Sequence, residues 1–122
     1  MIRGIGADLC AVVRVERLLG RWGERLRGRV FSEAEWVEAA RRPESLAARW
    51  AAKEAFGKAL GTGFQGFRAV DVEVSRPVSG RPVLVLSGRG RQTFERAGGG
   101  VLHLTLGHEA GMALAFVVWE GE

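Results

Sequence analysis

The stretch Arg49-Trp50-Ala51-Ala52-Lys53-Glu54-Ala55-Phe56-Gly57-Lys58-Ala59-Leu60-Gly61-Thr62-Gly63 is the most informative part of the chain. A helix is predicted from about Ser45 to Leu60, built on alanine, leucine, lysine and glutamate, with Gly61 as its C-terminal stop. On a helical wheel Leu46, Ala47, Trp50 and Ala51 form an apolar wedge. Glu54 falls inside that wedge, one turn beyond Trp50. A carboxylate aimed at a core-like face needs a partner, because burying an unpaired charge is costly. The sequence offers two: Lys58 at i+4, in the favourable order, or a metal ion.

Upstream, Ile2 to Leu9 alternates as a strand does, with Ile5, Ala7 and Leu9 on one face and Gly4, Gly6 and Asp8 on the other. The glycine face permits a close approach by another element. Asp8, at the end of this strand, is either the N-cap of the helix that follows or a second carboxylate for a divalent cation. Mg²⁺ takes one or two protein carboxylates and fills its remaining positions with water and substrate phosphates. Arg49, Lys53, Lys58 and the Gly61/Gly63 loop are suited to such phosphates. The loop is not a Walker A, since it follows its helix and lacks the Gly-Lys-Ser/Thr order. After Asp8, Val15, Leu18, Leu19, Trp22 and Leu26 form the apolar stripe of a helix that Gly20 and Gly23 weaken. Arg14, Arg17, Arg21 and Arg25 line an adjoining flank. Ser32 with Glu35 is a capping box, opening a helix that stops near Pro43.

Downstream, Val70, Val72 and Val74 alternate with polar residues, Ser79-Gly80-Arg81-Pro82 reads as a turn, and Val83 to Leu86 reads as a buried strand. Residues 70–86 are therefore predicted to form a hairpin. Gly88 to Gly100 is glycine-rich around an amphipathic piece containing Phe94. Leu102, Leu104 and Leu106 alternate with His103 and Thr105, and Met112 to Trp119 is a final apolar strand antiparallel to them. His103 and Thr105 form either the solvated side of a strand or a phosphate contact, and His108 reads as a turn residue. The two histidines do not form a zinc motif. This order of elements predicts an α+β fold, an antiparallel sheet packed with helices.

The chain has 122 residues, which suits one domain over 1–122. It carries 18 Lys+Arg against 14 Asp+Glu, a net charge of +4, which points to anionic partners. Cys10 is the only cysteine, which excludes an intrachain disulfide and a cysteine metal cage. No apolar run approaches the roughly 20 residues of a membrane helix. The strand-like start has no secretory apolar region, so a cytoplasmic protein without a membrane partner is expected. The arginine flank also admits a basic nucleic-acid-binding module, although no RNP-type aromatic motif, zinc finger or helix-turn-helix accompanies it.

Three segments together resemble the holo-acyl-carrier-protein synthases, the short bacterial class of 4′-phosphopantetheinyl transferases. Gly4-Ile5-Gly6-Ala7-Asp8 with Arg14 matches the opening Gly-Ile-Gly-x-Asp. Arg49 to Gly63 matches the long central signature, and His103 to His108 matches the closing His-x-Ser-x-(Thr/Ser)-His, with Thr105 and Gly107 as departures. The turn at Ser79 to Pro82 stands where the family has Asn-Gly-Lys-Pro. The resemblance implies transfer of the phosphopantetheine arm of coenzyme A to a serine of acyl carrier protein, in fatty acid biosynthesis. Adenosine 3′,5′-bisphosphate is the co-product. It implies Asp8 and Glu54 as Mg²⁺ carboxylates and Glu54 and Lys58 as the catalytic pair. It places coenzyme A at Arg49, Lys58, Gly61, Gly63, Pro82, His103 and Thr105, and carrier-protein docking at Arg14 and Arg21. It also implies a homotrimer with active sites between subunits and no nucleic-acid partner.

Overall fold

The fold closes where the glycine face of the first strand meets the central helix. The computed structural model describes residues 1–77 and 80–122. In chain order the elements are β1 (Ile2–Ala11), α1 (Val12–Trp22), α2 (Glu33–Ala39), α3 (Pro43–Leu60), β2 (Val72–Ser75), β3 (Val83–Leu86), α4 (Gly88–Arg96), β4 (Val101–Glu109) and β5 (Met112–Glu120). Short 3₁₀ turns stand at Gly23–Leu26 and Ala69–Asp71. The strands form two antiparallel sheets, one ordered β1-β5-β4 and one pairing β2 with β3. The α+β expectation is met. Among the described residues no helix is long and apolar enough to cross a membrane.

α3 lies across the three-stranded sheet so tightly that side chains on the facing strand are excluded. A Cβ at Gly6 would come within 1.9 Å of the Ala55 carbonyl oxygen, and one at Gly4 within 2.0 Å of that of Ala59. The helix reciprocates with alanines: Ala47, Ala51, Ala52 and Ala55 are fully buried. β5, the middle strand, contributes Ala113, Ala115 and Val117 to the same layer. The inner face of β1 is therefore its glycine face, and the branched residues lie outside. Ile5 and Leu9 are 58% and 59% exposed. On β5, Met112, Leu114 and Phe116 are exposed beside them.

Several boundaries follow from local chemistry. The Ser32–Glu35 capping box is present in full and opens α2. That helix ends at Ala39, and Pro43 starts α3 instead of following it, as proline does at a first helical position. Gly61 caps α3 in the left-handed region, φ 78°. Gly23 ends α1, so the interruption expected of Gly20 and Gly23 falls at the second glycine. Two expectations are corrected. Val70 belongs to a 3₁₀ turn before β2, and Val83 to Leu86 alternates between exposed and half-buried residues instead of being buried, because only one face of the short hairpin is covered. The expected turn between the two strands includes Ser79, which lies outside the described residues.

Candidate active site

The end of β1 and the last turns of α3 bring Asp8, Glu54 and Lys58 together. The N-cap alternative for Asp8 does not hold: α1 begins only at Val12 and its Ala11 cap makes no side-chain bond. The Asp8 carboxylate instead accepts a hydrogen bond from Lys58 Nζ at 2.9 Å, and the same ammonium donates to the Ala7 carbonyl at 3.1 Å. Lys58 is thereby turned away from its i+4 neighbour. Among the described residues Glu54 has no ion pair or side-chain hydrogen bond. Partial burial first, and the charge of Asp8 second, push the Glu54 carboxyl above its ordinary range, opposed by Arg14 and Lys58. The hydrogen bond and charge of Asp8 push the Lys58 ammonium up.

This geometry suits a divalent cation. Two carboxylates repel each other at one spot, and one of them has no ion pair among the described residues, which is the donor set of an ion that uses few protein ligands. Among the described residues no cluster of three or more His, Cys, Asp or Glu could hold a metal by itself, so any remaining ligands would be water or substrate oxygens.

Arg49 occupies a second position, near the start of α3. It is buried, bonding Glu38 and Ser45 through its terminal nitrogens, while its Nε is buried without a partner among the described residues. It lines a cleft of about 380 Å³ with Arg42, Ser45, Arg76 and His108. Glu38 and Glu44 also line it, so its three guanidinium groups face two carboxylates, one of them already paired with Arg49. Arg42, Ser45, Arg76 and His108 were not legible as site residues. His108, read as a turn residue, reaches this cleft only because the β4 end folds over α3.

Lys53 is corrected most sharply. It does not face phosphates: its side chain is fully buried, and Nζ donates to Glu35 Oε1 at 2.7 Å and to the carbonyls of Val72 at 2.6 Å and Ala69 at 3.0 Å. Burial lowers the affinity of this ammonium for its proton, and Glu35 opposes that effect. The Gly61–Gly63 loop folds back on α3. The amides of Gly61, Thr62 and Gly63 all donate to the carbonyls of Gly57 or Lys58 and so satisfy the helix end.

His103 and Thr105 stand opposite the leucines of β4, as the alternation implied, on the outer face of the sheet. His103 pairs across β5 with Val118 and so with Ile5, whereas Asp8 pairs through Ala115 on the inner face. With Arg81, Pro82 and Val83 they line a cleft of about 430 Å³. One copy of the chain therefore places the two halves of the expected site on opposite faces of one sheet.

Arg14 and Arg21 are exposed on α1. Arg14 lies over the Trp50 ring at 5.8 Å, and Arg21 over that of Trp22 at 5.2 Å. Beside them opens an apolar cleft of about 510 Å³, floored by Val15, Leu18 and Phe31 and edged by Arg14, Arg25 and Arg29.

Comparison with known proteins places the chain in a family. The family model described as the 4′-phosphopantetheinyl transferase superfamily matches residues 4–115. A holo-[acyl-carrier-protein] synthase of Alkalilimnicola ehrlichii is 46% identical over 125 residues, covering 98% of each chain. The crystal structure of the synthase of that name from Neisseria meningitidis superposes with a TM-score of 0.89 at 33% identity, covering 98% of this chain and 99% of its own. That from Helicobacter pylori, solved in complex with coenzyme A, gives 0.86 at 28% identity over 95% and 99%. The chain belongs to the 4′-phosphopantetheinyl transferase superfamily and is an enzyme of the holo-[acyl-carrier-protein] synthase type.

Proposed function

We propose that the chain, as one domain over 1–122, moves the 4′-phosphopantetheine group of coenzyme A onto a serine of apo-acyl carrier protein, in the cytoplasm and in the service of fatty acid biosynthesis. The reaction depends on Mg²⁺ and releases adenosine 3′,5′-bisphosphate. The observation that carries this reading is the Glu54 carboxylate, without an ion pair among the described residues, beside Asp8, whose own charge is taken by Lys58. The names of the relatives support the substrates.

The serine oxygen forms a bond to the β-phosphorus of the coenzyme A pyrophosphate, and the bond from that phosphorus to the bridging oxygen breaks. The electron pair leaves with adenosine 3′,5′-bisphosphate. In such a transfer, positioning and charge neutralisation do most of the catalysis. Asp8 and Glu54 would hold the Mg²⁺, which when bound supplies Lewis-acid neutralisation of the pyrophosphate. Glu54 accepts the serine proton directly or through a water it orients. Lys58 neutralises charge on the transferring phosphate. Arg49 binds phosphate through its cleft. Gly61 and Gly63 permit close backbone approach by turning with positive φ, their amides being committed to the helix end.

The enzyme assembles as a homotrimer with its sites between copies. Support comes from the apolar outer sheet face of Ile5, Leu9, Leu114 and Phe116, of a kind that marks interfaces. It comes also from the division of the site across that sheet. Packing of copies through this face would bring Pro82, His103 and Thr105 of one to Asp8, Glu54 and Lys58 of another. The acidic carrier protein docks along α1 at Arg14 and Arg21, whose apolar cleft and arginine rim suit a partner with an apolar ridge and acidic edges.

The test is conversion of apo- to holo-carrier protein with coenzyme A and Mg²⁺, read as a mass gain of one phosphopantetheine group. Glu54→Gln is expected to lower the rate at least about 100-fold while the chain stays folded. Full wild-type activity after thorough metal chelation would sink the metal role.

A further inference from the structure

His103 does not stand free on the outer face of β4. Its Nε2 lies 2.9 Å from Glu120 Oε1. The strand register sets the pair up: His103 stands opposite Val118 and Val101 opposite Glu120, so the two side chains are diagonal neighbours on one face. Both are about half exposed, at 55% and 50%. A pair this exposed contributes little to stability. The hydrogen bond to His103, and then the charge of that ring, hold the Glu120 carboxyl below its ordinary range.

The backbone under Glu120 is fixed from both sides. Gly100, at φ 121°, runs so close that a Cβ there would lie 2.2 Å from the Glu120 carbonyl oxygen. The neighbouring Trp119 indole donates to the Gly99 carbonyl at 2.8 Å, and the Gly121 amide donates to the Met1 carbonyl at 2.9 Å. The Gly98–Gly100 run, for which the sequence alone offers no use, thus lets β4 start tightly against the residue that meets His103.

A carboxylate at the edge of a cleft for phosphate is unfavourable on charge alone. It becomes favourable if it acts through the imidazole. The two ring nitrogens are distinct, and the bond made by one decides what the other presents. In an imidazolium both nitrogens donate. A carboxylate that orients a histidine in this way recurs at metal and catalytic sites.

We propose that Glu120 is a positioning residue: it accepts the Nε2–H of His103 and so fixes the ring with Nδ1–H left to donate to a phosphate of coenzyme A. This rests on the reading of His103 as a coenzyme A contact. Glu120 touches neither substrate and acts only through the ring. Arg81, in the same cleft, supplies a further positive charge.

The experiment is calorimetric titration of coenzyme A into the wild-type enzyme and into Glu120→Gln, Glu120→Asp, His103→Ala and the double variant Glu120→Gln/His103→Ala, in Mg²⁺, with sedimentation confirming one oligomeric state throughout. Glu120→Gln is expected to weaken binding about fivefold, the scale of one charge-assisted hydrogen bond lost at one remove. Glu120→Asp should recover most of that. In the His103→Ala background Glu120→Gln should add less than about twofold, since its route is gone. In turnover, KM for coenzyme A should rise more than kcat falls. If His103→Ala weakens binding and Glu120→Gln leaves it unchanged or tightens it, the positioning role is overturned and the His103 contact survives. If His103→Ala itself leaves binding unchanged, both fall. Equal effects of Glu120→Gln with and without His103 would overturn the role as well.

Discussion

Glu54 shows how a single side chain acquires its chemistry from its surroundings. Partial burial and the charge of Asp8 raise its pKa above the ordinary 4.5. The folded protein therefore keeps a proton that the unfolded chain has released, and stability falls as pH rises from just above 4.5 through the shifted value. A cation bound between the two carboxylates removes that penalty, and it competes with the proton for the same oxygens. The melting temperature of the metal-free enzyme is thus expected to drop over this window, and Glu54→Gln to lack that component. Mg²⁺ should raise the wild-type melting temperature more at about pH 7.5 than at about pH 5, and Glu54→Gln should abolish the increment. A wild-type melting temperature indifferent to Mg²⁺ at the higher pH would remove Glu54 from the metal site. Lys58, one turn on, shows the complementary point: spacing made it the partner of Glu54, yet the closer Asp8 takes it.

At the scale of elements, Lys53 and Glu35 tie three of them together. Glu35 accepts from Lys53 and the Ser32 amide through Oε1 and from the Val74 amide through Oε2, so α2, α3 and β2 meet at one carboxylate. Lys53→Ala leaves that carboxylate buried without a counter-charge, a change that costs about 3–5 kcal/mol. Urea unfolding should show the loss, while coenzyme A affinity of the folded enzyme stays near wild type. Loss of affinity at unchanged stability would instead return Lys53 to the phosphates. α1 is the opposite case, an element whose polar flank is exposed and free to act. Arg14→Glu/Arg21→Glu is expected to lower kcat/KM for the carrier protein by at least about tenfold while coenzyme A still binds calorimetrically. An equal loss for both substrates would place this flank in the nucleotide site.

The whole molecule poses a question that one copy does not answer, since the sheet separates Asp8, Glu54 and Lys58 from Pro82, His103 and Thr105. Sites shared between copies make a specific prediction. Mixing Glu54→Gln chains with His103→Ala chains, in equal amounts, with subunit exchange and at coenzyme A levels too low for His103→Ala alone to turn over, should restore about a quarter of wild-type activity, because a random quarter of the interfaces is then intact on both sides. Phe116→Glu, on the outer face, should abolish both the trimer in sedimentation and the rescue. Absence of any rescue from exchanged subunits would show that each copy works alone.

The sequence by itself determined what depends on neighbours a few residues away. The capping box at Ser32 and Glu35, the stop at Gly61, the alternation of β1 and β4 and the glycine face of β1 all follow from local geometry. The long motif from Arg49 to Gly63 marked the family. Tertiary structure decided what each face meets. Periodicity shows that Gly4, Gly6 and Asp8 share one side of a strand and Ile5, Ala7 and Leu9 the other, but only packing made the glycine side the core. It also chose between two lysines five residues apart, burying Lys53 on Glu35 and sending Lys58 to Asp8, 50 residues distant. Charge pairing and burial are set by distances in space between residues far apart in the chain, and local spacing carries no record of them.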